Sequence, residues 1–513
     1  MVSFYDLKNY FHDLDYRIII VGDGEPRAHT KVDGELVMKS PAGGVSVAFD
    51  AVARASQAVY IANGKTEADK EAMAGKSKIA IETNDGTYQL KRIFLTPEQQ
   101  DSYYSGFSNQ TLWPLSHAAF EKPVFNPAWY HDYIEVNKMF AKSIKEEIKG
   151  KTFVWINDYQ LSLVPTFLGK NKDTVVGFFW HIPWPTWEIF RVLPQKKDIL
   201  WSLLSCDYLA FHRRYQAQNF MTTVSRELEV RIDTETNSIF FDKNILTVGN
   251  LPMGIDADTI ETLAKPQEKE TFLGGVIRQA LGIPKEEVGS KKTKAMDAFF
   301  EKYQVMLGVD RLDYTKGLVY RLEAIDRFYE KYPQYIGKVI YLGIMSPSRE
   351  GVPSYKALRR EVESKVKDIN KKYATDDWKP LRMIYESYTR EDVIRFYEKA
   401  DISLVTPLDD GMNLVSKEFV VAAAVSHNPG VLILSQFAGS AIDLTSALIV
   451  NPYNIEEVAD AIARGLQMPD AEKDERMQTM FASLQERNIY SWTESFVKKA
   501  IAASNENKDR QKS

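Results

Sequence analysis

The spacing of its apolar runs is what most constrains the fold of this chain. RIIIV (17–21), FVWI (153–156), VVGFFW (175–180), YLAF (208–211) and ILTVG (245–249) form a first set. VMLGV (305–309), VIYLGI (339–344), ISLVT (402–406), VLILS (431–435) and ALIV (447–450) form a second. Longer amphipathic stretches such as 318–332 and 353–371 lie between them. Strand–helix alternation of this kind reads as α/β, with parallel sheets covered by helices on both faces. Two sets of strands predict two domains, and 513 residues are enough at roughly 100–200 residues each. The boundaries fall at 1–252 and 253–487, with a last segment at 488–513. Two open sheets facing each other place a ligand cleft at the carboxyl ends of the strands. The charged segment 264–299 reads as helix and loop, and the polar tail from Ser504 is expected to fray.

Charge and composition exclude several function classes. The net charge of −5, from 65 basic and 70 acidic residues, gives no electrostatic reason for a nucleic-acid or anionic-membrane partner. No apolar run reaches the ~18 residues of a membrane span. The acidic, aromatic N-terminus does not read as a signal peptide. Cys206 is the sole cysteine, which fits a reducing compartment, so a cytoplasmic location is expected. No GxGxxG, GxxxxGK[ST] or CxxC occurs, so nicotinamide, P-loop and structural-zinc readings lack support. A homo-oligomer remains open.

Five segments have residue types suited to chemistry. In VMLGVDRLDYTKG (305–317) a strand ends at Val309 and Asp310, Arg311, Asp313 and Lys316 follow. Arg311 offers a bidentate fork and Lys316 a point charge, a pair suited to a diphosphate; the alternative is a charged loop pairing with itself. In ISLVTPLDDGMNLVSKE (402–418) a helix is predicted from about Met412, with free N–H groups near Asn413 to Val415 as an anion site. Glu418 could accept both hydroxyls of a ribose, and Asp410-Gly411 forms a tight turn that a sugar can approach. His181 follows a strand among aromatics and prolines, either as a sugar contact or as a core histidine. Asp158 follows FVWIN, either as a ligand or as a helix cap. Gly43 and Gly44 precede an amphipathic helix, where a phosphate or sugar could approach the backbone.

Together these segments resemble the trehalose-6-phosphate synthase family of retaining glycosyltransferases, from about residue 39 to 500. The resemblance rests on SPAGG (40–44), YYSGFSNQTLWP (103–114), WINDYQL (155–161), FFWHIPWPTWEIFRVLP (178–194), VDRLDYTKG (309–317), SPSR (346–349), TPLDDGMNLVSKEF (406–419) and SQFAGSAIDL (435–444). It implies a GT-B fold of two Rossmann-like domains facing across a cleft, a C-terminal helix crossing back to the first, no cofactor and no metal. It implies synthesis of α,α-trehalose 6-phosphate from a nucleoside-diphosphate glucose and glucose 6-phosphate. Arg311, Lys316 and Gly43 would meet the donor diphosphate. Leu414 and Val415 would offer amides to the donor, Glu418 would hold its ribose and Tyr388 would lie near its base. Asp410, Gly411, Met412 and Asn413 would grip the transferred glucose, with His181 opposite. Tyr104, Trp113, Asp158 and Arg349 would line the acceptor subsite, Tyr104 and Arg349 near its phosphate.

The chain departs from the family pattern on the acceptor side. In the loop VGDGEPRAH (21–29), Gly24 stands where relatives carry an arginine that helps bind the acceptor phosphate. Arg27, three residues on, is the candidate substitute. VYIANGK (59–65) replaces a tryptophan-rich stretch, and Asn157-Asp158-Tyr159-Gln160 replaces His-Asp-Tyr-His. Two alternatives therefore stand beside the leading reading. One is the same donor chemistry with glycerol 3-phosphate or a pseudo-sugar as acceptor. The other is a non-catalytic sugar-nucleotide-binding regulator.

Overall fold

The structure, a computed structural model, describes residues 2–39, 45–117, 121–169, 171–264, 298–426 and 428–510. The chain forms two compact units, Met1–Gly254 with Arg487–Ser513, and Ile255–Glu486. The segment 265–297, most of the stretch expected to be helix and loop, lies outside the described residues.

The first unit contains β1 (Arg17–Val21), a separate ribbon of β2 (Ala28–Val32) and β3 (Glu35–Lys39), then β4 (Val59–Gly64), β5 (Ile79–Glu82), β6 (Thr87–Phe94), β7 (Thr152–Asn157), β8 (Thr174–Phe179), β9 (Tyr208–Phe211), β10 (Arg231–Asp233), β11 (Ser238–Phe241) and β12 (Asn244–Asn250). Its main sheet runs β10-β11-β12-β9-β8-β7-β1-β4-β6-β5. The stretch from β12 through β9, β8, β7, β1 and β4 to β6 is parallel, and the flanks are antiparallel. Ile18 to Val21 are buried, as are all residues of β7 and β8. Each fully buried aliphatic side chain stabilises such a strand by ~1.5–3 kcal/mol. The chain order reverses between β1 and β7, so the carboxyl ends of these strands border a switch point.

The helix Ile489–Arg510 belongs to this unit. Its Trp492 and Phe496 lie 5.3 and 4.3 Å from the Trp155 ring, and 5.0 and 5.6 Å from that of Phe179. The tail does not fray at Ser504. Ser504 and Asn507 are buried, and the Asn507 amide donates to Asn244 Oδ1 at 2.8 Å. The polar composition misleads here because one face of the helix is buried and its Asn507 is satisfied by Asn244 and the Ile245 carbonyl of β12.

The second unit contains β13 (Gln304–Arg311), β14 (Val339–Ser346), β15 (Leu381–Ile384), β16 (Ile402–Val405), β17 (Val431–Ser435) and β18 (Leu448–Val450). Its all-parallel order, β15-β14-β13-β16-β17-β18, places the switch point between β13 and β16. The helix Leu318–Lys331 covers the sheet with Leu318, Leu322, Ile325, Phe328 and Tyr329, the spacing of one apolar face, and stops before Pro333. Gly317, at φ +66°, starts that helix, and a Cβ there would sit 2.4 Å from the Thr406 carbonyl oxygen. Glycine is needed for both reasons.

Arg321 on the same helix is buried beneath the switch point. Its guanidinium donates to Asp310 at 2.5 Å, to Thr406 Oγ1 at 2.8 Å, to Tyr341 at 3.3 Å and to the Lys316 carbonyl at 3.3 Å. Arg321→Met should leave Asp310 buried without its counter-charge and cost about 3–5 kcal/mol. Urea unfolding followed by circular dichroism would detect this as a lowered transition; an unshifted transition would show that the pair does not hold the unit.

Candidate functional site

In the second unit, the loops after β13 and β16 meet at the switch point. Arg311 ends β13 with its side chain 45% exposed, 3.9 Å from Asp313 Oδ2. Asp313 is buried and nucleates the following turn: Oδ1 accepts the Thr315 N–H at 3.1 Å and hydroxyl at 3.0 Å, and Oδ2 accepts Tyr355 at 3.1 Å and Arg349 at 3.4 Å. Burial opposes its charge, but Arg349, Arg311 and Lys316 outweigh that and hold its pKa at about 2. Lys316, at the end of the turn, donates to Asp410 Oδ2 at 2.5 Å. The backbone joins the same two loops, Leu408 N–H to the Thr315 carbonyl at 2.7 Å.

The turn after β16 rests on a second loop. Asp410 N–H donates to the Phe437 carbonyl at 3.3 Å, Gly439 N–H to the Asp410 carbonyl at 2.9 Å, and Ser440 N–H to the Met412 carbonyl at 2.6 Å. A Cβ on Gly439 would lie 2.0 Å from the Gly411 carbonyl oxygen, so this close approach requires glycine. Asn413, at φ +72°, is the N-cap of the helix Leu414–Val425, and its Oδ1 accepts the Ser416 N–H at 3.0 Å. The helix therefore begins two residues later than the sequence reading placed it, because the αL asparagine holds Met412 outside. The first-turn N–H groups of Leu414 and Val415 have no acceptor within the helix, which is the condition for an anion site.

Glu418 lies one turn further on. Both contacts from Arg390, Nε and Nη2 at 3.0 Å, fall on its Oε1, leaving Oε2 available. Tyr388 is buried just before the Thr389 cap of the Arg390 helix and donates to Glu386 at 3.3 Å. Sequence reasoning did not single out Arg390, because no local pattern distinguishes it from a solvated arginine.

In the first unit, Asp158 follows β7 at φ +75°, ψ 164°, a backbone region costly for a side chain other than glycine's. It is not a helix cap by side chain; its Oδ1 accepts the His181 N–H at 3.1 Å. His181 is buried. Asn157 gives its amide N–H to the Val21 carbonyl at 3.1 Å, so its Oδ1 faces His181 Nε2 at 3.0 Å as acceptor. That fixes the proton on Nε2. Burial, then neighbouring His212, push the His181 pKa well below the usual imidazole range, so the ring is neutral.

Tyr104 belongs to a π-helix, Gln100–Leu112, in which the side-chain amides of Asn109 (Nδ2) and Gln110 (Nε2) donate to the Tyr104 and Ser105 carbonyls at 2.7 and 3.0 Å. The sequence reading had no means of finding it, and such segments concentrate at functional sites. Trp113 ends that segment, buried against His117 and Tyr159. Arg27 is bound bidentately to Asp50, Nε to Oδ1 at 3.0 Å and Nη2 to Oδ2 at 2.8 Å, so its fork is committed. Gly43 lies outside the described residues. Among the described residues no cluster of three or more His, Cys, Asp or Glu is placed to hold a metal ion, and no helix is long and apolar enough to cross a membrane.

A family model, Glycosyltransferase family 20, matches residues 16–274 and 275–502. The α,α-trehalose-phosphate synthase [UDP-forming] of Candida albicans is 35% identical over 80% of this chain and 82% of its own length. The α,α-trehalose-phosphate synthase [UDP-forming] A of Dictyostelium discoideum is also 35% identical, over 81% of this chain but 54% of its own length. A structure from E. coli bound with UDP-2-fluoro glucose superposes with a TM-score of 0.80 at 30% identity, over 94% of this chain and 98% of its own. A Burkholderia xenovorans UDP-forming synthase in complex with glucose-6-phosphate gives 0.79 at 29% identity, over 94% and 99%. The α/β architecture is thus of the GT-B class.

Asp313 makes the second unit acid-sensitive. Its folded pKa of about 2 lies below the ordinary 3.8, so its contribution is present above about pH 4 and lost as pH falls through about 2. Asp313→Asn should remove about 2 kcal/mol at neutral pH and flatten the stability profile between those values. Denaturant titrations at several acid pH values measure this, and a wild-type slope in the variant would refute it.

Proposed function

The chain belongs to glycosyltransferase family 20, and we propose that it transfers glucose, with retention, from UDP-glucose to glucose 6-phosphate, forming α,α-trehalose 6-phosphate. The observation that carries this reading is the pairing of Arg311 and Lys316 at the end of β13 with Asp410 to Val415 at the end of β16, on either side of one switch point. Uridine is assigned because the curated relatives are named UDP-forming.

The chemistry follows from these groups. As the bond from glucose C1 to the diphosphate breaks, negative charge grows on the leaving oxygen. Arg311 and Lys316 are cations fixed before the reaction, so they stabilise that charge with little reorganisation. In the resting protein Asp410 neutralises Lys316. On donor binding Lys316 exchanges Asp410 for the diphosphate, which releases the carboxylate to a glucose hydroxyl. Leu414 and Val415 present N–H groups to the donor with the helix dipole behind them. Glu418 Oε2 takes the ribose hydroxyls while Arg390 holds Oε1, and Tyr388 lies toward the base.

Acceptor binding falls to Tyr104, Trp113 and Asp158 of the first unit, with neutral His181 a hydrogen-bonding group for glucose. The acceptor hydroxyl oxygen bonds to C1 on the face the diphosphate leaves, and its proton passes to the departing phosphate oxygen. Asp158 then positions the acceptor and need not act as base. The transition state has oxocarbenium character.

Arg311→Ala and Lys316→Ala should each lower kcat/KM for UDP-glucose by about 100- to 1000-fold. A matrix of nucleoside-diphosphate glucoses against sugar and polyol phosphates, scored by nucleotide release and product mass, tests the activity itself. Undiminished turnover in both variants would remove the donor assignment. No UDP release with glucose 6-phosphate in the wild type would remove the acceptor.

A further inference from the structure

We infer that Lys65 is the cation by which the first unit holds the phosphate of its acceptor. This rests on the reading that the acceptor is a sugar phosphate bound by that unit. A dianion at the carboxyl edge of the sheet, beside the β1–β7 switch point, needs a cation there that is both fixed and accessible. The loops leaving β1, β4, β7 and β8, residues 22–27, 65–66, 158 and 180–186, contain two lysines or arginines, Arg27 and Lys65.

Arg27 is committed elsewhere. Both arms of its fork bind Asp50, which also takes Arg54 Nε at 3.1 Å and the Tyr88 hydroxyl at 3.1 Å. Its carbonyl accepts Arg92 Nη2 at 3.0 Å, so the backbone is tied as well. These contacts tie Arg27 to the helix Val45–Ser56 and to β6, and moving the guanidinium would leave Asp50 short of its counter-charge.

Lys65 has the opposite character. It immediately follows β4, and its side chain is 41% exposed. Its ammonium is anchored by one contact, to Asp23 Oδ2 at 3.1 Å, and lies 4.8 Å from the centre of the Tyr104 ring. Asp23 is itself buried and held by Asn63, whose Nδ2 meets Oδ1 at 3.2 Å and whose N–H meets the Asp23 carbonyl at 3.2 Å. Asp23 adjoins Gly24, where no side chain reaches into the loop. An ammonium has three N–H donors, so one can stay on Asp23 while others meet a phosphate oxygen. Tyr104, assigned to the acceptor, is the ring beneath it. The cation thus comes from the end of β4, as a point charge and not as a fork.

The test uses the full chain with UDP-glucose as donor. Lys65→Met should raise KM for glucose 6-phosphate by about 10- to 100-fold, the loss of one charge-assisted contact, and raise the inhibition constant of inorganic phosphate against that substrate alike. KM for UDP-glucose should stay within about twofold. Lys65→Arg, which keeps the charge, should retain most of the phosphate response, and Arg27→Gln should lower the melting temperature without changing the phosphate inhibition constant. A folded Lys65→Met enzyme with unchanged constants for glucose 6-phosphate and phosphate overturns the assignment, as does an equal rise in both substrates' KM. A wild-type enzyme that turns over glucose 6-phosphate while Lys65→Met keeps its phosphate response sinks Lys65 alone; a wild type inactive on every sugar phosphate sinks the underlying reading.

Discussion

The second unit depends on a guanidinium buried where its sheet changes direction. Arg321 joins β13 through Asp310, β14 through Tyr341, β16 through Thr406 and the intervening turn through the Lys316 carbonyl. Burial works against charge on Arg321, yet Asp310 and Tyr341 hold its pKa above the ordinary value. A switch point opens a crevice because adjacent loops diverge, and divergent loops need an internal tie to keep a fixed separation. The donors of one planar group supply it. They set the spacing between the loop bearing Arg311 and Lys316 and the loop bearing Asp410 to Asn413.

On that frame the charged groups of the proposed donor site are paired with one another. Lys316 has Asp410 and Glu418 has Arg390. Both pairs keep side-chain exposures of 12–17%, whereas the Lys417–Asp443 pair is sealed at 0–1%. Arg311 is the more open cation, while Asp313, Arg349 and Tyr355 form the fixed base of the turn. Preorganisation here consists of a rigid inner layer and an exchangeable outer one.

The first unit places strain where the second places charge. Asp158 is held in a costly backbone conformation by the His181 N–H, and Tyr104 and Asn109 lie on the π-helix from Gln100 to Leu112. Tyr159 donates to Asn109 at 2.7 Å, which ties the π-helix to the turn after β7. The charges of the loop after β1 are compensated from other elements, Glu25 by Arg92 of β6 at 2.6 Å and Arg27 by Asp50 of the helix Val45–Ser56.

The sequence by itself determined the α/β class and most of the parallel strands of both units. Runs such as IIIV (18–21) and VLIL (431–434) are apolar throughout because a central parallel strand is buried on both faces, and such a signal survives any tertiary context. β4 and β6 were not read as strands, since VYIANG and TYQLKRIF mix polar residues that are satisfied inside the fold, Asn63 by Asp23 and Arg92 by Glu25. The sequence also located Arg311, Lys316, Asp410 and Glu418 at strand ends and helix starts. What the tertiary structure alone decided was partnership. Arg27 and Lys65 are both cations after strands of one sheet, and no local rule separates them. Asp50, 23 residues beyond Arg27, and Asp23, 42 residues before Lys65, make one a structural tie and leave the other at the surface. Charge pairing acts across space without regard to sequence distance, so only the folded chain assigns it.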